Sequence, residues 1–230
     1  AKDNWAAPYI EYCVSEGIVG GVGGGRFNPT GNITGTQAAK MLLCILGYNA
    51  SIQGYVGSDF WETKINVDAA QKGLYDGLAG IDASAPLTRD QAAQMIWNGL
   101  QAYEVEYITT LVPGPDGTLT SKVTVQDRYD SDLDSKITLL RDKYEAAIET
   151  GSLTSVPSAK KNPKGVTFVN DKGVSQTFKN VTTDYSSLLG YEVKVIYKAK
   201  KTDDANAIYG VYKTNANETY EAVWKDIEAD

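Results

Sequence analysis

One phrase in the first half of this chain is written twice. Trp5, Ile10 and Gly17-Ile18 are followed by Phe27-Asn28-Pro29 and then by Ile33-Thr34-Gly35-Thr36-Gln37-Ala38-Ala39. The phrase returns as Trp61, Gly73-Leu74, Ala85-Pro86 and Leu87-Thr88-Arg89-Asp90-Gln91-Ala92-Ala93. Trp5 to Gly17 and Trp61 to Gly73 share one spacing, as do Thr34 to Met41 and Thr88 to Met95, and only the loop between the helical halves differs in length. Offsets held over two helices mean one supersecondary unit used twice.

Each unit predicts a short helix followed by a better defined one. Asp3 or Asn4 is expected to cap the first short helix and Ser58 or Asp59 the second, with Gly17 and Gly73 as left-handed stops. Thr34-x-x-Gln37 and Thr88-x-x-Gln91 read as capping boxes, in which hydroxyl and amide satisfy orphan backbone donors. Tyr9, Ile10, Cys13 and Val14 form one apolar stripe, and Leu42, Leu43, Ile45 and Leu46 another. Neither helix pair buries its stripe alone, so the two units are expected to pack together.

These residues resemble the surface-layer homology (SLH) family. Its units run from an aromatic-x-Asp and Trp opening through a helix closed by Gly-Ile or Gly-Leu to Phe-x-Pro, Ile-Thr-Arg and a second helix. The resemblance covers residues 1 to about 107. It implies an exported, extracellular protein of a bacterial wall or S-layer, held non-covalently by a secondary wall polysaccharide, often pyruvylated. The opening Ala1-Lys2-Asp3-Asn4-Trp5 cuts into the family's first phrase, so a processed or excerpted chain is expected, with a further unit lost upstream.

The resemblance also implies a ligand site. The Arg after Ile-Thr stands at the start of the second helix, where a cation and free N–H groups face an acidic sugar. Arg89 holds that position in the second unit, flanked by Thr88 and Asp90, and Gly73, Trp5 and Trp61 complete the candidate set. Either Trp serves as a stacking surface for a sugar or as core. The first unit has Gly35 where the Arg would be, so Gly35→Arg is expected to restore a second pocket.

Texture changes after Tyr107. Leu111 to Gly117 reads as a turn-rich connection, and Ser121–Val125, Val166–Val169, Tyr191–Tyr197 and Ala207–Tyr212 read as strands. Asp184–Gly190 reads as a helical turn, and Ile137–Thr150 fits helix or strand. Tyr185, Tyr191, Tyr197, Tyr209 and Tyr212 are expected in core and cross-strand packing. The class is therefore α+β: SLH-like repeats over 1–54 and 55–108, then a small β-rich domain over 109–230, a partly open barrel or a sandwich. Its acidic tail, Lys225 to Asp230, is expected to fray.

Composition narrows the chemistry. The chain has no histidine, which removes Ser-His-Asp and Cys-His catalysis and the usual zinc sites, and no enzyme is expected. Its net charge of −7 disfavours nucleic acid, and no apolar run is long enough to span a bilayer. Gly20 to Gly25 lacks the Gly-Lys-Ser/Thr ending of a phosphate loop and reads as turns. No cofactor is expected beyond an irregular calcium site at Asp130, Asp132 and Asp134, whose alternative is a solvated loop; Ser135 and Arg141 break the EF-hand pattern. Cys13 and Cys44 read as small core residues, with a disulfide as the alternative. The competing function is a self-assembling subunit of a surface array or filament that binds no glycan.

Overall fold

The computed structural model describes residues 4–132, 134–156, 165–179, 181–199 and 207–216. It is a mixed α+β chain that divides into two compact units, Ala1–Leu139 and Leu140–Asp230.

The first unit opens with α1 (Ala7–Ser15), α2 (Gly35–Ile45), α3 (Trp61–Gln71) and α4 (Arg89–Gln101). Both capping boxes form: Thr34 and Thr88 each accept from the glutamine N–H three residues on, and each glutamine side chain accepts from the threonine N–H. Gly17 and Gly73 take φ of +70° and +68°, where only glycine is unstrained, and α1 and α3 stop just before them. The expected caps of α1 and α3 act one turn too early. Asn4 and Ser58 accept from the N–H two residues on, at Ala6 and Phe60, so they shape the entering turns while the helices begin uncapped at Ala7 and Trp61.

Packing centres on α2, which lies against α3 and α4. Ala39, Leu43, Leu46, Ile65, Ala69, Leu74 and Met95 are its buried core. The stripe on α1 does not join them: no α1 residue is buried, Tyr9 and Val14 are exposed, and Trp5 is 83% exposed. Cys13 and Cys44 are free thiols, each half-buried, so no disulfide joins them and the core reading holds only in part. Burial pushes the Cys44 thiol up against the opposing pull of Lys40.

The two helix starts at the capping boxes are tied directly. Thr34 bridges Pro86, Leu87 N–H donates to Ile33 at 2.9 Å, and Thr36 N–H donates to the Ala83 carbonyl at 2.8 Å. Thr36 Oγ1 reaches the same carbonyl at 3.1 Å. The loop ahead of the second box is thus laid over the first turn of α2.

The helices lead into an antiparallel hairpin, β1 (Val105–Pro113) and β2 (Leu119–Asp127), paired along its length from Val105–Asp127 to Pro113–Leu119. The expected connection at Leu111–Gly117 is therefore half strand, and the turn proper is Gly114 to Thr118. The pair β3 (Tyr129–Asp130) and β4 (Ser135–Lys136) follows. Backbone bonds from Val105 N–H to Leu46, Glu104 N–H to Ile137 and Arg128 N–H to Glu104 fasten both pairs to the helices. Glu104 is buried, and Arg128 neutralises it.

The ambiguous stretch after Ile137 is both things in turn. Helix α5 (Leu139–Tyr144) ends at Glu145, whose φ of +51° redirects the chain into β5 (Ala146–Ser155). With β6 (Val166–Asn170), β7 (Ser175–Phe178), β8 (Glu192–Lys198) and β9 (Ile208–Lys213) it makes one antiparallel sheet in the order β7-β6-β5-β8-β9. That sheet is open at β7 and β9. Neither a barrel nor a second stacked sheet forms among the described residues of this unit, because the earlier strands belong with the helices. Leu153, Val166, Phe168, Phe178, Val193, Val195, Tyr197 and Val211 are its core, under a 3₁₀ turn at Ser186–Leu188. Of the five strand-region tyrosines only Tyr197 is buried, with its hydroxyl on Glu149; Tyr209 and Tyr212 are exposed. The tail Lys225–Asp230 lies outside the described residues.

Candidate functional site

The candidate residues fall at different levels of the helical unit. Thr88, Arg89 and Asp90 stand together at the start of α4, all exposed, with the Thr88 side chain committed to its capping box. The Arg89 side chain makes no ion pair or hydrogen bond among the described residues. It is a cation beside open helix N–H groups, a suitable seat for an anionic sugar. Gly73 lies elsewhere. Asn98 Nδ2 donates to the carbonyls of Leu74 and Asp76 at 3.1 and 2.8 Å, which pins the Gly73 turn to the last part of α4. Nine residues of helical rise separate that level from Arg89, about 14 Å. Trp61 packs against the core, and Trp5 stands in solvent with its ring edge on Tyr9.

Gly73 opens onto a feature that the repeat did not announce. A cavity of about 540 Å³ is bounded by the ends of α3 and α4, by Tyr48 and by the base of the hairpin. Lys72, 10% exposed, is its fixed point: Nζ donates to Asp127 Oδ1 at 2.6 Å and to the Tyr103 carbonyl at 3.0 Å, and lies 5.7 Å from the Tyr48 ring centroid. Lys136 takes the other Asp127 oxygen at 2.7 Å and lies over the Tyr103 ring. One sequence signal pointed here: Lys72 sits before Gly73 where Glu16 sits before Gly17, and a cation is favoured at a helix C-terminus. Its partner Asp127, far along the chain, carried no signal.

Burial alone would raise the Asp127 pKa, but hydrogen bonds and charge from Lys136 and Lys72 prevail and hold it below the ordinary 3.8. A depressed carboxylate contributes stability above its unfolded pKa and loses it as pH falls through the folded value. Asp127→Asn should therefore lower stability at neutral pH by about 1–3 kcal/mol, since it leaves Lys72 nearly buried without its anion. The deficit should shrink as pH drops below about 4. Urea unfolding of both proteins across that range reads the effect; a deficit constant with pH would remove Asp127 from the account.

The acidic run does not converge. Asp130 accepts from the Asp132 N–H, Tyr129 donates to Asp134, and among the described residues no three acidic or sulfur side chains gather as a metal site would need.

Comparison with known proteins bears on the first of the two units. The S-layer homology domain model matches residues 1–39. The chain carries an S-layer homology segment. Such segments mark cell-surface proteins associated with the bacterial wall. A Bacillus anthracis protein described as an uncharacterized cell wall amidase is 31% identical over 103 residues, which are 42% of this chain and 19% of that relative. The chain thus matches under a fifth of the relative's length. No solved structure matches it. Among the described residues no helix is long and apolar enough to cross a membrane.

Proposed function

We propose that the helical unit is a wall-binding module that holds a secondary wall polysaccharide at the start of α4, with a carboxylated sugar, such as a pyruvylated one, against Arg89. The observation that carries this is the exposed, unpaired Arg89 at the first position of a properly capped helix, in a chain with an S-layer homology segment. The seat is a binding site and needs no catalyst. The amidase description belongs to the relative, of which this chain matches a minor share.

A second reading is favoured by particular surfaces. The hairpin has exposed Leu111, Leu119 and Val123, and α1 exposes Tyr9 and Tyr12, with Trp5 exposed just ahead of it. A hairpin that is two-stranded among the described residues is a pairing template, so a subunit of a surface array is the alternative.

One pelleting experiment addresses both. Purified protein is expected to sediment with intact sacculi and to stay in solution with sacculi stripped of polysaccharide. Equal binding to both would defeat polysaccharide recognition, and sedimentation with no sacculi present would favour the array.

A further inference from the structure

We propose that two copies of this chain pair through the outer edge of β1, antiparallel about a twofold axis at Thr109. The product is a four-stranded sheet, with β2 and β1 of one copy followed by β1 and β2 of the other. The inference rests on the surface-array reading for its use and deepens it by naming the strand, the partner and the register.

The free backbone of this edge follows from the ladder. Residues of an antiparallel strand alternate between bonding inward to the neighbouring strand and pointing outward. Gly114 N–H donates inward to Thr118, and Arg128 N–H to Glu104, whereas Val105 N–H points outward and donates to Leu46 at 2.8 Å. The alternation therefore turns the backbone groups of Tyr107, Thr109 and Leu111 outward. Among the described residues none of the three makes a backbone hydrogen bond on that side. The free stretch is bracketed, because Val105 has spent its N–H on Leu46 and Pro113 has none.

That bracket selects the partner. Thr109 lies midway between Val105 and Pro113. An identical strand laid antiparallel about Thr109 therefore sets each Tyr107 opposite the other copy's Leu111, and every outward N–H of the free stretch meets a carbonyl. Such a contact is self-complementary and isologous. Composition picks β1 over β2 as the edge. Residues 107–112 hold no charge, glycine or proline, the make-up of a strand that pairs with itself. β2 carries Lys122 near its middle, a side chain that discourages edge pairing.

The hairpin gains from the added strands. Two strands alone are marginal in water, and three or more with an apolar face are needed for stability. Val125 and Val123 stand opposite Tyr107 and Thr109 in the register, so they share one face with Leu111, and both valines and Leu111 are exposed. Pairing brings each Leu111 beside a Tyr107 on that face. Tyr107 is already held, its hydroxyl accepting from the Asn49 N–H at 2.8 Å, so little ordering is left at that end. So short an edge is a small interface, and a reversible dimer with a Kd on the order of 10–100 µM is expected. A twofold contact closes on itself, so an array needs one further contact elsewhere.

Sedimentation velocity of the full chain over about 1–300 µM tests the pairing, and the wild type is expected to pass from monomer to dimer. Thr109→Lys and Thr109→Glu should each raise the Kd more than about tenfold, since like charges then face each other across the axis. Thr109 is exposed, so both variants should keep the wild-type circular dichroism spectrum. Mixing the two variants should restore the dimer, because the proposed register sets residue 109 opposite itself and brings lysine against glutamate. A wild type that stays monomeric, variants that dimerise as the wild type does, or a mixture that stays monomeric would overturn the pairing. Electron microscopy without sacculi reads the array separately. Discrete dimers with no larger assembly would sink the array reading and leave the strand pairing standing, whereas arrays that survive Thr109→Lys would sink the pairing alone.

Discussion

Replacing Gly35 with arginine is expected to lower the melting temperature of the helical unit by roughly 3–12 °C and to leave wall binding no stronger. By register Gly35 and Arg89 are the same position, the first residue of a capped helix. In space they are opposites. A Cβ on Gly35 would stand 2.9 Å from the Ala83 Cα and 3.1 Å from the Ala83 carbonyl oxygen. Both are backbone atoms, so no rotamer change relieves the contact. Relief requires the loop to lift, and that loop carries the Thr36–Ala83 bonds and the Thr34–Pro86 bridge. Overpacking of this kind costs about 1–3 kcal/mol. The absence of a Cβ at Gly35 is what lets the Ala83 loop lie across it, so the geometry argues against an arginine rebuilding a pocket there. Near-UV circular dichroism melts and sacculus pelleting of the variant check the point. An unchanged transition with tighter wall binding would show that the loop yields and that the first pocket is real.

Gly35 also shows where sequence reasoning reaches its limit. The capping boxes, the stops at Gly17 and Gly73 and the strands around Val166 and Tyr191 were legible because each depends on neighbours within a few residues. The loop over Gly35 comes from almost fifty positions away, and no local pattern reports it. The same holds for Lys72 and Asp127, which are unremarkable charges until the hairpin folds back on the helix ends. Periodicity was misleading at α1, whose apolar stripe is real and yet, among the described residues, is nowhere fully buried. The hairpin alternates as strands should, but alternation does not name a partner, and its strands join the helices rather than the later sheet. At the candidate site the sequence placed Arg89 at an exposed helix start, while the distance from Gly73 followed only from the Asn98 bonds.

Arg89→Ala is expected to weaken binding to intact sacculi about ten- to a hundredfold while the circular dichroism spectrum and melting temperature stay as in the wild type. The binding loss is what one charge-assisted hydrogen bond to a carboxylate contributes, about 1.5–3 kcal/mol. The fold should not notice, because Arg89 is exposed, has no ion partner among the described residues, and gives way to a better helix former. Thr88, which caps the same helix, is the contrasting control: Thr88→Ala should cost about 1 kcal/mol of stability through its lost bond to the Gln91 N–H. Arg89→Lys separates charge from shape. If the guanidinium grips a carboxylate through two parallel bonds, lysine should recover only part of the affinity; if it supplies charge alone, lysine should recover nearly all. In either case wild-type binding should weaken with added salt, because an exposed contact of this kind is screened. Full wall affinity in Arg89→Ala, with an unchanged fold, would take the arginine out of the site and leave the start of α4 as scaffold.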